Sequence, residues 1–457
     1  MSNLFGTDGV RSKVGNNVFV SENLPKLGNA IAKWAISKYI NPKILIVHDT
    51  RISCSFVKSA LKSGLLLNPV SIFDAQVLPT PAVALIKNYF NIAIIISASH
   101  NPWQDNGIKI VDLAYGKLNL KDELEISGIY LNLSPITPTP LVPSVFRSEA
   151  KKNVSRDSQS YDNLGQEEFY PEAENLYLEN VLEKFKFLSL KNIKIALDCA
   201  NGATYKVAAK IFEKLSADLI IINNKPNGKN INLNCGALEP ENLSKTIIEN
   251  NCDFGFAFDG DGDRVVVVNR FGEIKDGDDI LAILINNPDY QNINKLVGTV
   301  MTNRGLELFL KKQGIELVRT SVGDKYISEQ LAKENLLLGG EQSGHIILKN
   351  LSPMGDGILA ALKVLETVIL TKNHNLETFK KYPQVLLNIP VKIKLALDAP
   401  PISQLIDLSK SQITDGRLLV RYSGTENCLR IMVEEETQER AEFISHALAD
   451  KIQKELC

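Results

Sequence analysis

A short apolar run that stops abruptly in a polar loop constrains the fold of this chain more than any other feature. Residues Ile92–Ile96 contain four isoleucines, and the run is too short for a buried helix, so it predicts a buried strand of a parallel sheet. The loop SASHNP follows at 97–102. Since open α/β sheets bind ligands outside the carboxyl ends of their strands, Ser99 is a candidate nucleophile, with His100 and Lys109 nearby. Taken alone, an ordinary proline turn is an equal alternative.

The same succession of strand and polar loop returns along the chain. Segments with helical spacing separate the repeats, which is typical of βαβ units. We therefore expect two or three related α/β domains, then from about residue 382 a smaller α+β domain that closes with an amphipathic helix at 437–456. A Pro/Thr-rich and then polar stretch at 134–166 indicates a linker with a surface excursion. The repeats are KILIVHDTR at 43–51, KIALDCANG at 194–202, FGFAFDGDGDR at 254–264 and LVGTVMTNRG at 296–305.

Composition narrows the classes of function. The 457 residues exceed what one core ordinarily holds. A formal net charge of -2 gives no electrostatic reason to expect nucleic acid or an anionic membrane as partner. No apolar run has the length of a membrane span or a signal peptide. The six cysteines contain no CxxC pair, which argues against a zinc site or a disulfide framework. We therefore expect a cytoplasmic protein.

The sequence DGDGDR is the strongest single signal. Three carboxylates at alternate positions, Asp259, Asp261 and Asp263, follow an apolar strand, where their mutual repulsion needs a compensating cation. Mg²⁺ takes oxygen ligands of this kind, and the intervening glycines permit a tight loop. An EF-hand would need glycine and glutamate where Arg264 and Arg270 stand, so a calcium module of that kind is excluded. A solvated acidic turn is the remaining alternative.

Three further segments carry groups that suit a phosphosugar. GGEQSGH combines Glu341, Ser343 and His345, although a turn with a structural histidine is an equal alternative. LFGTDGVR ends in Arg11, whose guanidinium could donate hydrogen bonds to a phosphate. Taken alone, this segment favours an ordinary turn. A serine, a metal cluster, a sugar-type loop and a phosphate-binding nest together favour phosphoryl transfer on a phosphosugar. The nest is RYSGTEN with the arginine that follows it: Arg421, Ser423, Gly424, Thr425 and Arg430.

These motifs resemble the signature loops of the α-D-phosphohexomutase superfamily, in the family's order and over nearly the whole chain. SASHNP is similar to the phosphoserine loop, DGDGDR to the metal loop, GEQSGH to the sugar loop and RYSGTE to the phosphate loop. FGTDGVR, GKNINLNCGA, VGDKY, MGDGI and Gln342 place the resemblance within the bacterial branch that acts on glucosamine phosphates. Lys325 and Asn427 stand where that pattern usually has arginine and proline.

The resemblance implies an α/β fold of four domains around a central cleft. Three are related α/β/α domains, and the fourth is a smaller C-terminal α+β domain of two layers. The expected bounds are 1–150 for domain I with the phosphoserine loop, 151–270 for domain II with the metal loop, 271–382 for domain III with the sugar loop and 383–457 for domain IV with the phosphate loop.

The resemblance also implies an isomerase that interconverts glucosamine 6-phosphate and glucosamine 1-phosphate, a step toward UDP-N-acetylglucosamine. Ser99 is then a phosphoserine, and a hexosamine (or glucose) 1,6-bisphosphate is both intermediate and activator. Mg²⁺ is the implied cofactor. Its implied ligands are a phosphoserine oxygen of Ser99 with Asp259, Asp261 and Asp263.

The remaining implied roles divide between chemistry and binding. His345 or Lys109 transfers the proton of the sugar hydroxyl. A small phosphosugar is the expected partner, a homodimer is compatible with the resemblance, and neither nucleic acid nor membrane is expected. The side chains around the phosphoserine are Arg11, His100, Lys109 and Arg264. The substrate-binding residues are Glu341, Ser343, Arg421, Ser423, Gly424, Thr425, Arg430 and Arg264.

Three alternatives stay open. The nearest is the same chemistry on glucose or mannose phosphates, as a phosphoglucomutase or phosphomannomutase. A metal-dependent phosphatase would pass the phosphoryl group to water and release inorganic phosphate. A non-catalytic carbohydrate- or phosphate-binding protein would have no use for both Ser99 and the three aspartates.

Overall fold

Four sheets form the framework of the described residues, in the succession expected for three α/β units and a smaller α+β unit. The predicted fold class is therefore confirmed. Most of the predicted excursion at 134–166 lies outside the described residues, and so do two predicted phosphate-binding residues, Gly424 and Thr425. The structure, a computed structural model, describes residues 4–6, 8–134, 164–391, 394–423 and 427–456.

The first unit is a seven-stranded sheet with its helices. Its strands are β1 (Val10–Lys13), β2 (Lys43–His48), β3 (Ser71–Val77), β4 (Ile92–Ile96), β5 (Asp105–Asp112), β6 (Gly116–Lys117) and β7 (Gln166–Phe169). Its helices are α1 (Asn23–Lys38), α2 (Cys54–Leu65), α3 (Ala82–Leu85) and α4 (Leu120–Asn132). The strand order is β1-β5-β4-β2-β3-β7, with β6 beside β5. β4 is buried throughout and parallel to β2, which confirms the strand predicted from the isoleucines.

The second and third units repeat this design with fewer strands. The second sheet has the order β12-β11-β10-β8-β9, and the third has β14-β13-β15-β16. The second unit contains α5 (Glu172–Lys184), β8 (Lys194–Asp198), α6 (Val207–Lys214), β9 (Asp218–Ile222), α7 (Glu241–Asn250), β10 (Phe254–Phe258), β11 (Val265–Asn269) and β12 (Ile274–Lys275). The third contains α8 (Gly277–Leu284), β13 (Lys295–Thr299), α9 (Arg304–Lys312), β14 (Glu316–Thr320), α10 (Asp324–Lys333), β15 (Leu338–Gly340), β16 (Ile346–Leu348) and α11 (Gly357–Thr371).

The C-terminal unit is an antiparallel sheet of order β17-β19-β18 with two helices. The closing helix begins one residue after the predicted start at 437. Two strands pair with strands on the other side of a predicted domain bound. β7 follows residue 150 but pairs with β3 of the first unit, and β12 follows residue 270 but pairs with β11 of the second. The elements of the C-terminal unit are β17 (Gln384–Pro390), α12 (Ile402–Ser411), β18 (Arg417–Tyr422), β19 (Cys428–Glu434) and α13 (Gln438–Leu456).

The three α/β units place their polar loops at the same point. In each, a parallel strand is followed by a strand that returns antiparallel beside it: β4 and β5, β10 and β11, β15 and β16. The loops between these pairs are the serine loop at 97–104, the aspartate loop at 259–264 and the sugar-type loop at 341–345. Three motifs that are far apart in the sequence therefore occupy equivalent positions in three related sheets.

One continuous apolar core joins the first three units, whereas the C-terminal unit has a core of its own. Helix α11 lies in the shared core and is buried around most of its circumference, as expected for a helix that is apolar on nearly all sides. Within the described residues, none of the helices combines the length and the apolar character needed to cross a bilayer.

A close helix crossing in the first unit tests this packing. Helices α1 and α2 approach so closely that a Cβ at Gly64 would lie 1.7 Å from the carbonyl oxygen of Pro25. Gly64→Ala should therefore destabilise the protein by about 1–3 kcal/mol. On α4, a Cβ at Gly128 meets no atom within 4 Å, so Gly128→Ala should stabilise by about 0.5–1 kcal/mol. Urea unfolding measures both variants, and a Gly64→Ala protein as stable as the unsubstituted chain would contradict the crossing.

Candidate active site

Ser99 lies in a strained turn at the carboxyl end of β4. Its backbone φ is +51°, a left-handed conformation that costs energy for a residue with a side chain, and its side chain is almost fully buried. The hydroxyl donates a 2.7 Å hydrogen bond to Oδ2 of Asp259 and lies 3.3 Å from Nδ1 of His100. The predicted nucleophile is thus in direct contact with the aspartate loop.

A buried network beneath the turn holds this conformation. Ser97 accepts a 2.9 Å hydrogen bond from the backbone N–H of Ser99 and donates its hydroxyl to Asp49 at 2.5 Å. Arg51 pairs with the same carboxylate at 2.8 Å and donates to the carbonyl oxygens of Ser99 and Asn101, each at 2.8 Å. Sequence analysis did not predict Asp49 or Arg51. The available signal was a carboxylate and an arginine directly after the strand of KILIVHDTR.

A loop of the second unit covers the serine turn. The side-chain amide of Asn232 donates to the carbonyl oxygens of Ser99 and Asn101, at 2.9 and 3.3 Å. Gly260 packs so close that a Cβ there would lie 2.6 Å from the carbonyl oxygen of Ser99. Asn232 belongs to the motif GKNINLNCGA, to which sequence analysis assigned no role. The structure shows that this motif hydrogen-bonds to the serine turn and so holds it in place.

The three predicted metal ligands converge. One carboxylate oxygen from each of Asp259, Asp261 and Asp263 lies within 4.8 Å of the others, and all three residues are buried, so a solvated acidic turn is excluded. Oδ1 of Asp261 and Oδ1 of Asp263 are buried without a hydrogen-bond partner among the described residues. Buried carboxylate oxygens without a partner are costly unless a cation takes them. The residues present therefore fit a hard divalent cation that prefers oxygen ligands.

Burial and mutual repulsion give the carboxylates of the cluster different proton affinities. Burial, followed by the charges of Asp263 and Asp261, raises the pKa of Asp259 well above its usual range. Burial acts in the same direction on Asp263, but Lys109 and the other neighbouring cations lower the pKa of Asp263 below its usual range. Without a cation in the cluster, Asp259 therefore takes up a proton more readily than Asp263.

Lys109 reaches from the first unit into the aspartate loop. Its ammonium lies 3.0 Å from Oδ2 of Asp261 and 2.9 Å from Oδ2 of Asp8. Burial alone would lower the pKa of Lys109, but Asp261, Asp8 and Asp263 outweigh it and raise the pKa well above the ordinary lysine value. Lys109 is therefore a fixed positive charge. Asp8 is a residue of the site that sequence analysis quoted within FGTDGVR without assigning it a role.

His345 lies between two carboxylates. Its Nδ1 is 3.7 Å from Oδ2 of Asp263, and its Nε2 is 3.7 Å from Oδ2 of Asp324. Burial would lower the pKa of His345, but Asp263, Asp324 and Glu341 raise that pKa to about 9. The ring packs on Gly355, where a Cβ would lie 2.3 Å from Nε2. The motif MGDGI thus provides the surface on which the imidazole rests.

The rest of the sugar-type loop is held against its neighbours. Glu341 accepts a 2.9 Å hydrogen bond from the backbone N–H of Gly323. Gly344 has a φ of +89°, and a Cβ there would lie 2.2 Å from the carbonyl oxygen of Val265 in the second unit. The hydroxyl of Ser343 is buried without a hydrogen-bond partner among the described residues. The loop therefore has a fixed backbone and a hydroxyl that can bond to a ligand.

Two arginines, Arg11 and Arg264, place positive charge around the imidazole of His100. Nε of Arg11 and Nε of Arg264 have no hydrogen-bond partner among the described residues. Burial, followed by the charges of Arg264 and Arg11, lowers the pKa of His100 to about 4. The imidazole beside Ser99 is therefore neutral at pH 7, and the surrounding positive charge favours the binding of an anion.

The C-terminal unit carries the described part of the predicted phosphate loop. Arg421 of β18 faces Arg430 of β19, and Lys394 donates to the carbonyl oxygen of Ser423 at 3.1 Å. Like charges directly opposite each other in a sheet are unfavourable. Arg417 attaches this unit by donating to two carbonyl oxygens of the third unit, at 3.0 and 2.8 Å. The structure thus joins the first three loops around Ser99 and leaves the fourth on a unit with its own core.

Comparison with known proteins finds four successive matches to one family. Domain models of phosphoglucomutase/phosphomannomutase match as α/β/α domain I at residues 2–136, domain II at 175–272 and domain III at 276–385, and as the C-terminal domain at 386–451. Curated relatives include the phosphoglucosamine mutase of Protochlamydia amoebophila, which is 38% identical over 99% of this chain and 97% of the relative. That of Fusobacterium nucleatum is 38% identical over the whole of both chains.

Solved structures show the same fold. A phosphoglucomutase/phosphomannomutase family protein from Burkholderia thailandensis has a TM-score of 0.77 at 20% identity, over 99% of this chain and 97% of its own. N-acetylphosphoglucosamine mutase from Aspergillus fumigatus, in complex with GlcNAc-6P and magnesium, has a TM-score of 0.66 at 18% identity, over 99% and 96%.

Variants at Asn232 and Asn234 form a matched pair that tests the hydrogen bonds of Asn232 to the serine turn. Their φ values are +56° and +53°, which glycine adopts without strain. Asn232→Gly removes two hydrogen bonds to the turn, whereas Asn234→Gly removes an exposed side chain. The loss of the two hydrogen bonds of Asn232 costs about 1–2 kcal/mol of local stability. Amide hydrogen exchange across 97–102 should therefore accelerate roughly 5- to 30-fold in Asn232→Gly and stay unchanged in Asn234→Gly. Equal exchange in the two variants, measured by mass spectrometry, would contradict this role of Asn232.

Proposed function

Because this chain belongs to the phosphoglucomutase/phosphomannomutase family, we propose that it interconverts glucosamine 6-phosphate and glucosamine 1-phosphate. The observation that carries the proposal is the hydrogen bond of Ser99 to Asp259 within a buried cluster of three aspartates. The choice of glucosamine is supported by curated phosphoglucosamine mutases that are 38% identical over almost the whole chain.

Ser99 is the proposed carrier of the phosphoryl group. In the first half of the reaction, the bond between Oγ of phosphorylated Ser99 and phosphorus breaks, and phosphorus bonds to a sugar hydroxyl oxygen, whose proton ends on the departing Oγ of Ser99. The product is a sugar 1,6-bisphosphate. In the second half, the phosphoryl group at the other position returns to Oγ of Ser99, and the proton that this oxygen releases ends on the sugar oxygen left behind. The enzyme ends each cycle as it began.

Asp259, Asp261 and Asp263 are the proposed ligands of Mg²⁺, together with a phosphoserine oxygen. Bound there, the ion supplies positive charge that polarises the phosphoryl group. The buried oxygens of Asp261 and Asp263 without hydrogen-bond partners support this assignment. The compact carboxylate cluster also suits a small cation that takes oxygen ligands.

The cations of the chain itself complete the charge balance around the phosphoryl group. The raised pKa of Lys109 supports an electrostatic role for that ammonium rather than a role as general base. Arg11 and Arg264 have donors available to phosphate oxygens. Neutral His100 contacts the Ser99 hydroxyl and can share its proton. Together these groups favour a dianionic phosphoserine over the free hydroxyl.

His345 is the proposed proton donor and acceptor. A pKa of about 9 keeps it protonated at neutral pH, so it can give a proton to the sugar oxygen that loses its phosphoryl group. In the reverse direction it takes that proton back. Glu341 and Ser343 are the proposed ligands of sugar hydroxyls. The proposed clamp on the non-reacting phosphate comprises Arg421, Ser423, Gly424, Thr425 and Arg430, and the opposed pair of arginines supports it.

The proposed setting is cytoplasmic amino sugar metabolism, as a source of glucosamine 1-phosphate for UDP-N-acetylglucosamine. Cys54, Cys199, Cys235 and Cys252 are buried and free, which supports a reducing compartment. A homodimer stays a prediction.

The second candidate is the same reaction on glucose or mannose phosphates. The family description, phosphoglucomutase/phosphomannomutase, favours it. Gln342, between Glu341 and Ser343 in the sugar-type loop, is one of the features on which the sequence prediction of glucosamine rests, together with motifs such as FGTDGVR and GKNINLNCGA. The two candidates share every step at Ser99 and differ only in what the sugar loop recognises.

Phosphorus NMR tests the choice of substrate. Purified protein with Mg²⁺ and a trace of the matching 1,6-bisphosphate is given glucosamine, glucose or mannose 6-phosphate in parallel tubes. The glucosamine 1-phosphate signal should grow about 10-fold faster than the others or more, because a site built to bond a polar substituent discriminates against sugars without it. Faster conversion of glucose or mannose would establish the second candidate instead. Inorganic phosphate as the sole product would indicate a phosphatase.

Ser99→Ala should abolish turnover in the same assay, because the phosphoryl acceptor is gone, while Mg²⁺ binding persists through the three aspartates. Ser63→Ala is the matched control, since among the described residues the Ser63 hydroxyl hydrogen-bonds only to the carbonyl oxygen of Ala60 on its own helix. A Ser99→Ala protein with the turnover of Ser63→Ala would contradict the covalent mechanism.

The pH dependence of Mg²⁺ binding tests the proposed ligands. Only the ionised form of Asp259 coordinates well, and its pKa is raised well above the usual range. Mg²⁺ affinity should therefore weaken as the pH falls, beginning above the range near pH 4 in which ordinary carboxyl groups titrate. Calorimetry over a pH series, in buffers of different ionisation enthalpy, should detect proton release. A constant affinity and no proton release down to about pH 5 would contradict the assignment.

A further inference from the structure

The motif VGDKY at 322–326 lies at the N-terminus of α10 and contacts two units at once. Asp324 forms an ion pair with Lys117 of β6 in the first unit, and its Oδ2 lies 3.7 Å from Nε2 of His345 in the third unit. Lys117 also pairs with Asp8 at 2.8 Å. Asp324 is therefore the link between the charge cluster of the first unit and the proposed proton donor.

The residue before Asp324 reaches the same loop. The backbone N–H of Gly323 donates to Oε1 of Glu341 at 2.9 Å. Two consecutive residues of one turn thus contact Glu341 and His345, the two ionisable side chains of the sugar-type loop. A displacement of this turn would move both side chains together.

The pair formed by Asp324 and Lys117 is sheltered from solvent. The side chains of Asp324, Lys117 and His345 are 15%, 23% and 6% exposed. All three line a cavity of about 390 Å³ between the first and third units, which Lys109 also lines. In so sheltered a place, removing one partner takes away part of the charge compensation of the other, so the geometry depends on the pair.

We propose that Asp324 is a positioning residue for the reaction: held by Lys117 across the boundary between the first and third units, it fixes the imidazole of His345 and, through the adjoining turn, Glu341. The proposal rests on the function proposed above. Its consequence is that the proton donor is aligned with Ser99 only while the first and third units are in contact. Asp324 does not itself touch the reacting atoms and acts through His345.

A neighbouring ion pair serves as the matched control. Lys325, the next residue, lies 3.3 Å from Glu123 of α4 and so crosses the same boundary. None of the bonds described above joins the pair of Lys325 and Glu123 to the sugar-type loop. Weakening it by Glu123→Gln perturbs the attachment of the two units but leaves the turn at Asp324 and Lys117 intact.

Steady-state kinetics of Asp324→Asn, Lys117→Met, their double variant and Glu123→Gln test the proposal. Each of the first two should lower kcat roughly 10- to 100-fold with little change in KM, since a misplaced proton donor slows chemistry more than binding. The double variant should lose no more than the worse single variant, because both act through one contact. Asp324→Glu should restore part of kcat, and Glu123→Gln should retain it.

A second readout does not need turnover. The imidazole NMR signals of His345, assigned with His345→Gln, should shift in Asp324→Asn and in Lys117→Met but not in Glu123→Gln. If the unsubstituted protein converts none of the sugar phosphates, the proposed function fails, while these signals still report the contact. Unchanged signals with unchanged kcat in both single variants, or equal losses in Glu123→Gln, would overturn the positioning role.

Discussion

Three aspartates buried within 4.8 Å of one another are the constraint on which the rest of the structure depends. Their repulsion and lost hydration are unfavourable, and each element that reaches the cleft supplies part of the compensation. β5 brings the ammonium of Lys109, the segment before α3 brings the hydroxyl of Thr80, and the serine turn brings the hydroxyl of Ser99. The carboxylate oxygens left without a partner mark the place for a cation. The contacts that offset the repulsion of the three carboxylates thus also stabilise the junction of the units and prepare the site for phosphoryl transfer.

The arrangement of the units explains how groups from distant parts of the chain reach the three carboxylates. Three sheets share one apolar core, with α11 inside it, and direct equivalent loops to one place. The C-terminal unit has its own core and joins the third unit through polar contacts, such as those of Arg417 and of Tyr382 with Asp415. Polar attachment between separate cores permits relative motion. Such freedom suits a proposed clamp that must accept a sugar phosphate in either orientation.

Neighbouring side chains and backbone hold Ser99 and His345, the proposed reactive groups, in place. The left-handed backbone of Ser99 is maintained by Arg51 and Asn232, which grip its carbonyl oxygen from two units. The imidazole of His345 rests on Gly355 and faces Asp324. Packing and hydrogen bonds from the surroundings therefore restrict the positions of both side chains, as a preorganised site requires.

The sequence by itself determined the strands, the loops and the chemical groups that the loops present. The run Ile92–Ile96 predicted a buried strand because it is apolar, β-branched and too short for a helix, and alternate aspartates after a strand predicted a cluster of carboxylates that suits a cation. These features are local, so a pattern of neighbouring residues encodes them. Only the tertiary structure decided which distant side chains meet. Arg51 and Ser99 are separated by 48 positions, and Lys117 and Asp324 by 207. Such pairs depend on strand order and on the packing of one unit against another, and neither leaves a periodic signal in the chain.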